Sequence, residues 1–141
     1  MRDVDAYWFE GRTVMSLHLE DGREFTMVNV EPLVVQALNK RQSTGLRGGF
    51  ILEDERLSIF DALTLSENVI KALKESVDSV VVADLNRRHG TYIAYLRLRV
   101  GDAVIEKPMI PSHAIYLAII AGKPIYVNEN LIEENRDFGE P

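Results

Sequence analysis

A short, almost entirely apolar stretch between a proline and a glycine constrains the fold of this chain more than any other feature. Pro111 stands where the first position of a helix favours proline, and Gly122 stands just past the expected last turn. The residues between them leave almost no polar face, which is typical of a helix buried on all sides. The stretch is too short to cross a bilayer, which takes roughly 20 apolar residues. We therefore predict a buried helix here and no membrane partner.

Strand-like segments flank this helix in the sequence. Residues 77–85 are rich in β-branched side chains and end in a turn, residues 86–90, with asparagine at one end and glycine at the other. Residues 91–100 alternate, which predicts one buried and one largely exposed face. A Gly-Asp turn then leads into a further strand, residues 103–107, and a last strand follows the helix.

The first half of the chain adds strands and helices. Asp-Gly at 21–22 predicts a hairpin, and Pro32 predicts the start of a helix. The predicted strands are 4–10, 12–19 and 24–30, with a small hairpin from 50–52 and 56–59, and the predicted helices are 33–40 and 63–76. The loop over 40–49 is expected to be a mobile surface segment. In the helix over 63–76, four residues are expected to pack inward: Val69, Ile70, Ala72 and Leu73.

These elements predict an α+β fold, with a mostly antiparallel sheet, a buried helix in the C-terminal half and two or three further helices. The 141 residues suit a single domain, 1–141, with a short helix capped by Asn128 and a frayed tail over 136–141. The absence of cysteine excludes disulfides and thiolate chemistry. Because the chain has no cysteine and its N-terminus is polar, we expect a cytoplasmic protein.

One candidate for chemistry lies at the end of the strand that precedes the hairpin turn. Asp84 stands close in sequence to Arg87, Arg88 and His89. An acid, two cations and an imidazole at one edge could form a rim that binds phosphate and a metal. Charged turns are also the rule on protein surfaces, so an ordinary solvated hairpin is the alternative.

A second candidate is the first turn of the buried helix. His113 could act as a general base, or as a neutral donor to a phosphate held at the helix N-terminus. The alternative is a histidine that hydrogen-bonds to its surroundings in the cap region. Ser112 is better explained as a capping group than as a nucleophile, because no Gly-x-Ser-x-Gly elbow surrounds it.

A third candidate is the strand over 91–100, where Arg97 and Arg99 share a face with Tyr95. Cations interleaved with an aromatic ring could bind a nucleic-acid backbone and stack a base. They could equally form cross-strand pairs with acids such as Glu106. A further alternative is that another subunit covers this face. The net charge of −6 opposes non-specific attraction to nucleic acid but leaves room for a local basic patch.

The chain resembles the bifunctional nuclease (DNase/RNase) domain family over about a third of its length, with a weaker resemblance across 15–38. The closest match is the helix start and the segment after the helix. The matching residues are Asp84-Leu85, Gly90-Thr91-Tyr92, Leu96, Pro111-Ser112, Ala114-Ile115, Leu117-Ala118 and Ala121-Gly122-Lys123-Pro124-Ile125-Tyr126-Val127. Arg56 and Asp61 resemble the family's arginine and aspartate at the entry to the middle helix. At the helix start the family usually has Arg-Pro-Ser-Asp, where this chain has Ile110-Pro111-Ser112-His113.

The resemblance implies a nuclease that acts on DNA or RNA, or both, with Mg²⁺ or Mn²⁺, and a homo-oligomer, most simply a dimer. The alternative is a non-catalytic binding or assembly module on the same fold. The candidate catalytic residues are Asp84, His113 and Asp61, and Asp84 and Asp61 are also the candidate metal ligands. The candidate substrate-binding residues are Arg56, Arg87, Arg88, Ser112, Arg97 and Arg99.

Overall fold

Two small sheets and the helices that pack between them make up the part of the chain that the computed structural model describes, residues 3–42 and 56–133. The first sheet is antiparallel, in the order β1-β2-β3: β1 is Asp3–Phe9, β2 is Arg12–His18 and β3 is Glu24–Val28. The second has the order β6-β5-β4-β7: β4 is Val77–Asn86, β5 is Thr91–Val100, β6 is Ala103–Met109 and β7 is Ile125–Val127. In this sheet β4 and β7 are parallel, and the other neighbouring strands are antiparallel.

Four helices accompany the sheets: α1 is Pro32–Gln42, α2 is Ile59–Ala62, α3 is Glu67–Ser76 and α4 is Pro111–Ala121. Residues 129–133 are also helical, and the Asn128 side chain accepts a hydrogen bond from the Asn130 amide, as expected of a capping residue. The predicted α+β class with a mostly antiparallel sheet is confirmed. Within the described ranges, no helix combines the length and hydrophobicity needed to cross a membrane.

The buried helix predicted from the proline and the glycine is confirmed as α4. Pro111 occupies the first turn, and Gly122 ends the helix at φ +65°, a left-handed conformation that glycine adopts without steric cost. The amide of Lys123 then donates to the carbonyl of Ala118 at 2.9 Å, which satisfies a carbonyl that the helix end leaves open. Ala114, Ile115, Tyr116 and Ala118 are fully or almost fully buried. This helix contacts α1, α3 and the two central strands of the second sheet.

The core lies between the two sheets and is filled by α1 and α4. The first sheet contributes Met15, Leu17 and Phe25, and the second contributes Val80, Val82 and Ala94, all of them fully buried. The ring of Phe25 meets the ring of Tyr92 edge-on, with centroids 5.1 Å apart, so the two sheets also touch directly. Alternation along β5 is confirmed: Ala94 and Leu96 are buried, whereas the residues between and after them are more exposed.

Two predictions about the middle of the chain are wrong. Residues 56–58 are not a strand, because Ser58 caps the short helix α2. The helix predicted over 63–76 begins only at Glu67, and the Ser66 side chain caps it by accepting a hydrogen bond from the Asn68 amide. Three predicted segments lie outside the described residues: the loop over 43–49, the strand over 50–52 and the tail over 136–141.

The predicted inward packing of α3 is also wrong, because its apolar residues are less buried than expected. None of its residues is buried; Ile70 and Leu73 are half-buried, whereas Val69 and Ala72 are exposed. The helix does contact α4 and the second sheet. Its apolar stripe therefore lies against the periphery of the core, because α4 already occupies the central position over β4 and β5.

Candidate functional site

The first turn of α4 carries polar atoms that are buried without partners. Ile110, the residue before the helix, offers no side-chain cap. Ser112 is 2% exposed, and neither its Oγ nor the Nε2 of His113 has a hydrogen-bond partner within the described ranges. A buried polar atom left unpaired costs about 1–3 kcal/mol, so such atoms call for a water molecule or a ligand. His113 as a whole is partly exposed, although its Nε2 is buried.

Asp61 lies in the neighbouring short helix α2 and is 8% exposed. Ser58 and Asp61 form a reciprocal capping box, in which the Ser58 amide donates to Oδ2 of Asp61 at 2.9 Å. Lys40, near the end of α1, donates from Nζ to the same oxygen at 2.8 Å. These contacts fix α2 against α1 and use much of the acceptor capacity of this carboxylate.

Opposing effects act on the Asp61 carboxyl group. Burial is the largest single effect and works to raise its pKa, because it disfavours the charged form. The hydrogen bond and positive charge of Lys40, together with the donors of Ser58, outweigh it, and the net pKa is lowered. Asp61 is therefore ionised at neutral pH, with Oδ2 held by donors from Lys40 and Ser58, and it is not a proton donor.

The ring of Phe60 joins α2 to α4. It meets the His113 ring edge-on at 5.0 Å between centroids and the Tyr116 ring at 5.5 Å. The Tyr116 hydroxyl donates to the Phe60 carbonyl at 2.7 Å, a buried hydrogen bond that fixes the backbone of α2. The residue next to Phe60 is Asp61. Three of the sequence-predicted residues, Asp61, Ser112 and His113, are thus brought into one neighbourhood, and the exposed Arg56 begins the segment that enters it.

Asp84 lies elsewhere. It is exposed near the end of β4, and Oδ2 accepts a hydrogen bond from the Tyr95 hydroxyl at 3.3 Å. Tyr95 projects from the face of β5 opposite to Ala94 and Leu96, which are buried beneath α4. The structure therefore places Asp84 on the far side of the sheet from Asp61 and does not bring the two predicted metal ligands together.

The hairpin beside Asp84 has a structural explanation. Asn86 orders the turn, because its carbonyl accepts from the Gly90 amide at 2.8 Å and its side chain accepts from the Arg88 amide at 3.1 Å. Arg87, Arg88 and His89 are exposed on this turn. The predicted phosphate-binding rim is therefore an exposed hairpin turn. The Asp84 carboxylate next to it accepts a hydrogen bond from the Tyr95 hydroxyl.

The two arginines of β5 are paired with acids. Arg97 donates from Nε to Glu106 on the neighbouring strand at 3.0 Å, and Arg99 donates from Nε to Asp78 at 3.1 Å. The cross-strand pairing with Glu106, one of the alternatives for this face, is confirmed. Hydrogen bonds from Ser79 and then from Arg99 lower the pKa of Asp78, so both members of that pair are charged. Both cations therefore already face a carboxylate.

The described residues do not by themselves fit a divalent metal. Mg²⁺ and Mn²⁺ prefer several oxygen ligands on one centre. Across residues 3–42 and 56–133, no three histidine or acidic side chains converge closely enough to hold an ion. Asp61 is held by Lys40 and Ser58, and Asp84 by Tyr95 on the other side of the sheet. The expected metal stays a prediction.

Sequence reasoning missed two members of this neighbourhood, Lys40 and Ser58. The pattern Ser58-x-x-Asp61 before an apolar residue is a capping signal and could have identified Ser58. Lys40 is 21 residues away from Asp61 in the chain, and no local pattern marks it as a partner.

Residues 56–138 match the family model of the bifunctional nuclease domain, which is more than half of the chain. The matched region contains α2, α3, α4 and the whole second sheet, and with them all the candidate site residues from Arg56 onward. No curated protein matches the chain significantly. The fold around α4 and the match across it lead to the same conclusion: this chain belongs to the bifunctional nuclease domain family.

Proposed function

We propose that this protein hydrolyses phosphodiester bonds in DNA or RNA at the neighbourhood formed by α2 and the first turn of α4. The observation that carries the proposal is the match of residues 56–138 to the bifunctional nuclease domain, since that match contains both elements. The buried, unpartnered polar atoms of Ser112 and His113 support the location.

The chemistry follows from what hydrolysis of a phosphodiester requires. The site must hold an anionic phosphate, accept a proton from the attacking water and favour negative charge in the transition state. The amides at a helix N-terminus favour bound anions, and Ile110 leaves this end of α4 without a side-chain cap. Ser112 would donate its hydroxyl to the phosphate. His113 would accept the proton of the attacking water as a general base, the role that histidine most often takes in catalysis.

Asp61 has a positioning role in this proposal. Its carboxylate is engaged by Lys40 and Ser58, and through α2 it holds Phe60 against His113. The exposed Arg56 would approach the substrate from the start of the same segment. If a divalent metal is required, its further ligands must come from the substrate, from water or from residues outside the described ranges.

The direct test is an incubation of pure protein with single- and double-stranded DNA and RNA, each with Mg²⁺, with Mn²⁺ and with a chelator. Cleavage of at least one substrate is expected, and His113→Leu is expected to reduce it at least about 100-fold, the lower end of what a general base contributes. His89→Leu is the matched control, because His89 is an exposed histidine on the hairpin turn. Failure of the wild-type protein to cleave any of the four substrates would favour the non-catalytic alternative.

A second pair of variants separates the two locations suggested by the sequence. If the reaction takes place at α4, Asp84→Ala should retain cleavage, because Asp84 lies beside Tyr95 on the opposite face of the sheet. A site on the β4–β5 hairpin predicts the reverse: Asp84→Ala would abolish cleavage and His113→Leu would leave it intact. The three variants His113→Leu, His89→Leu and Asp84→Ala together assign the reaction to one side of the sheet.

A further inference from the structure

Large apolar side chains stand in solvent beside the first turn of α4. Ile110, directly before the helix, is 59% exposed, and Ile59, the first residue of α2, is 71% exposed. Leu57, at the entry to α2, is 60% exposed. We call these three residues the apolar rim. Ile59 precedes Phe60, whose ring lies 5.0 Å from the ring of His113, so the rim borders the candidate site.

Beside the apolar rim, the first turn of α4 offers donors to one anionic group. Ser112 is 2% exposed, and its Oγ has no hydrogen-bond partner among the residues that the structure describes. The amides of this helix end also favour an anion, and Ile110 supplies no side-chain cap to them. A ligand that fills both places therefore carries a phosphate and, next to it, an apolar surface. A nucleotide with an accessible base combines the two.

The charges near the rim favour a single strand over a duplex. Binding to a duplex depends largely on several cations that neutralise phosphates along its backbone. Lys40 already faces Asp61 at 2.8 Å, and the chain as a whole carries a charge of −6. Ile110 stands where the family usually has an arginine, so this chain presents an apolar side chain at the helix start in place of a cation. Arg56 adds one cation at the start of the α2 segment.

The accessibility of base faces also separates the two forms of nucleic acid. In a duplex each base is stacked on its neighbours, so an apolar side chain reaches a base face only after that step is unstacked. In a single strand, bases can turn outward and pack on apolar or aromatic side chains at a much smaller cost. An exposed apolar surface next to a phosphate site therefore selects for unpaired bases.

We propose that the apolar rim packs against unpaired bases, so that the nucleic acid bound at α4 is single-stranded DNA or RNA. The inference rests on the proposed function, because the phosphate next to those bases is the one held at the first turn of α4. Ile59 and Ile110 then determine specificity: they distinguish single strands from duplexes and take no part in the chemistry.

The test is a fluorescence-anisotropy titration of the full chain in the presence of a chelator. The probes are an unstructured oligonucleotide and the same oligonucleotide annealed to its complement. Ile59→Ser and Ile110→Ser each remove an apolar side chain from the rim. Val28→Ser is the matched control, because Val28 is 54% exposed on the first sheet. Circular dichroism spectra and thermal unfolding show whether each variant keeps the fold.

The wild-type protein is expected to bind the single strand at least about tenfold more tightly than the duplex, since the duplex must first be unstacked. Each rim variant should weaken single-strand binding at least about fivefold, the lower end of what packing against one base contributes. Val28→Ser should bind like the wild type. A wild-type protein without this preference would overturn the inference. So would folded rim variants that bind the single strand normally, and that result would leave the rim to a protein partner.

Cleavage of the same two substrates with Mg²⁺ or Mn²⁺ separates this inference from the proposed function. Ile59→Ser is expected to raise KM for the single strand with kcat nearly unchanged, whereas His113→Leu should lower kcat. Equal kcat/KM for single strand and duplex would contradict the strand preference and keep the nuclease. Absence of all cleavage would contradict the nuclease, and the titration without metal would still decide whether the rim selects single strands.

Discussion

The ammonium group of Lys40 lies 2.8 Å from the carboxylate of Asp61 and joins the end of α1 to the short helix α2. The Asp61 side chain is 9% exposed and the Lys40 side chain 20%, so this is a largely desolvated ion pair. Ser58 completes the set of donors around the carboxylate. The pair holds α2 in the orientation that brings Phe60 onto His113 and Tyr116.

Removal of this carboxylate is expected to be strongly destabilising. Asp61→Ala leaves Lys40 without its buried partner and removes the capping box of α2, so the free energy of unfolding should fall by about 3 kcal/mol. Urea denaturation measures the change. Asp21→Ala is the matched control, since Asp21 pairs with Arg23 at 2.6 Å on the exposed β2–β3 turn, and its effect should be much smaller. Equal losses in the two variants would contradict a special contribution from the buried pair.

The stability of the protein should depend on pH through the same group. The pKa of Asp61 is lowered below its ordinary value of 3.8, so its ionised form stabilises the fold. That stabilisation is fully present above the ordinary pKa and is lost as the pH falls through the lowered pKa of the folded protein.

The measurement is the difference in unfolding free energy between the wild type and Asp61→Asn, recorded from about pH 6 down to about pH 2. The difference should shrink as the pH falls below about 4. The comparison isolates Asp61 from other acids with lowered pKa values, such as Asp21 and Asp78. A difference that does not change with pH would show that the carboxylate is not stabilised in its charged form.

His18 and Asp5 form an exposed pair between β2 and β1, with Nε2 2.8 Å from Oδ2. The hydrogen bond that the His18 ring donates to the Asp5 carboxylate raises the pKa of His18 above 6.5, although partial burial opposes it. Any stabilisation from the pair is present below pH 6.5 and is lost as the pH rises through the raised pKa. Solvent screening keeps it small.

An NMR titration of the His18 ring is expected to give a midpoint above 6.5. Asp5→Asn should lower that midpoint, and Asp21→Asn, on the neighbouring turn, should leave it unchanged. A midpoint unaffected by Asp5→Asn would mean that the pair does not persist in solution.

The hydroxyl of Tyr116 is expected to contribute to stability through one buried hydrogen bond. Tyr116→Phe removes the donor to the Phe60 carbonyl and leaves that acceptor unpaired, which should cost about 1–2 kcal/mol of unfolding free energy. Tyr126→Phe is the matched control; Tyr126 is exposed, and its loss of a hydroxyl should change stability by less than about 0.5 kcal/mol. Chemical denaturation of both variants tests the difference, and equal effects would contradict it.

Much of the architecture around α4 could be predicted, because the sequence patterns that mark it lie within a few residues of one another. Pro111 and Gly122 mark the helix ends, and apolar residues fill the turns between them. The alternation along β5 predicted one buried and one largely exposed face. The start of α3 was predicted too early, because the turn of α2 and the residues after it are also compatible with helix.

The candidate site was predicted only in part. Ser112 and His113 follow from their place in the first turn of α4. Asp61 was assigned a role in catalysis and metal binding, but the structure shows its carboxylate held by Lys40 and Ser58. Asp84 was grouped with Asp61, and the structure places it across the sheet. No local sequence pattern reveals the Lys40–Asp61 ion pair or the position of Asp84 across the sheet from Asp61. Both depend on which elements become neighbours in space.

The amino-acid sequence by itself determined the helix under the sheet, the hairpins and the alternation of strand faces, since these depend on interactions within a few residues. Tertiary structure alone decided that Lys40 meets Asp61, that the apolar stripe of α3 stays at the edge of the core, and that Asp84 and Asp61 lie apart. The physical reason is that burial and charge pairing depend on packing between distant segments. Here α4 takes the central position and packs against α1, α3, β4 and β5.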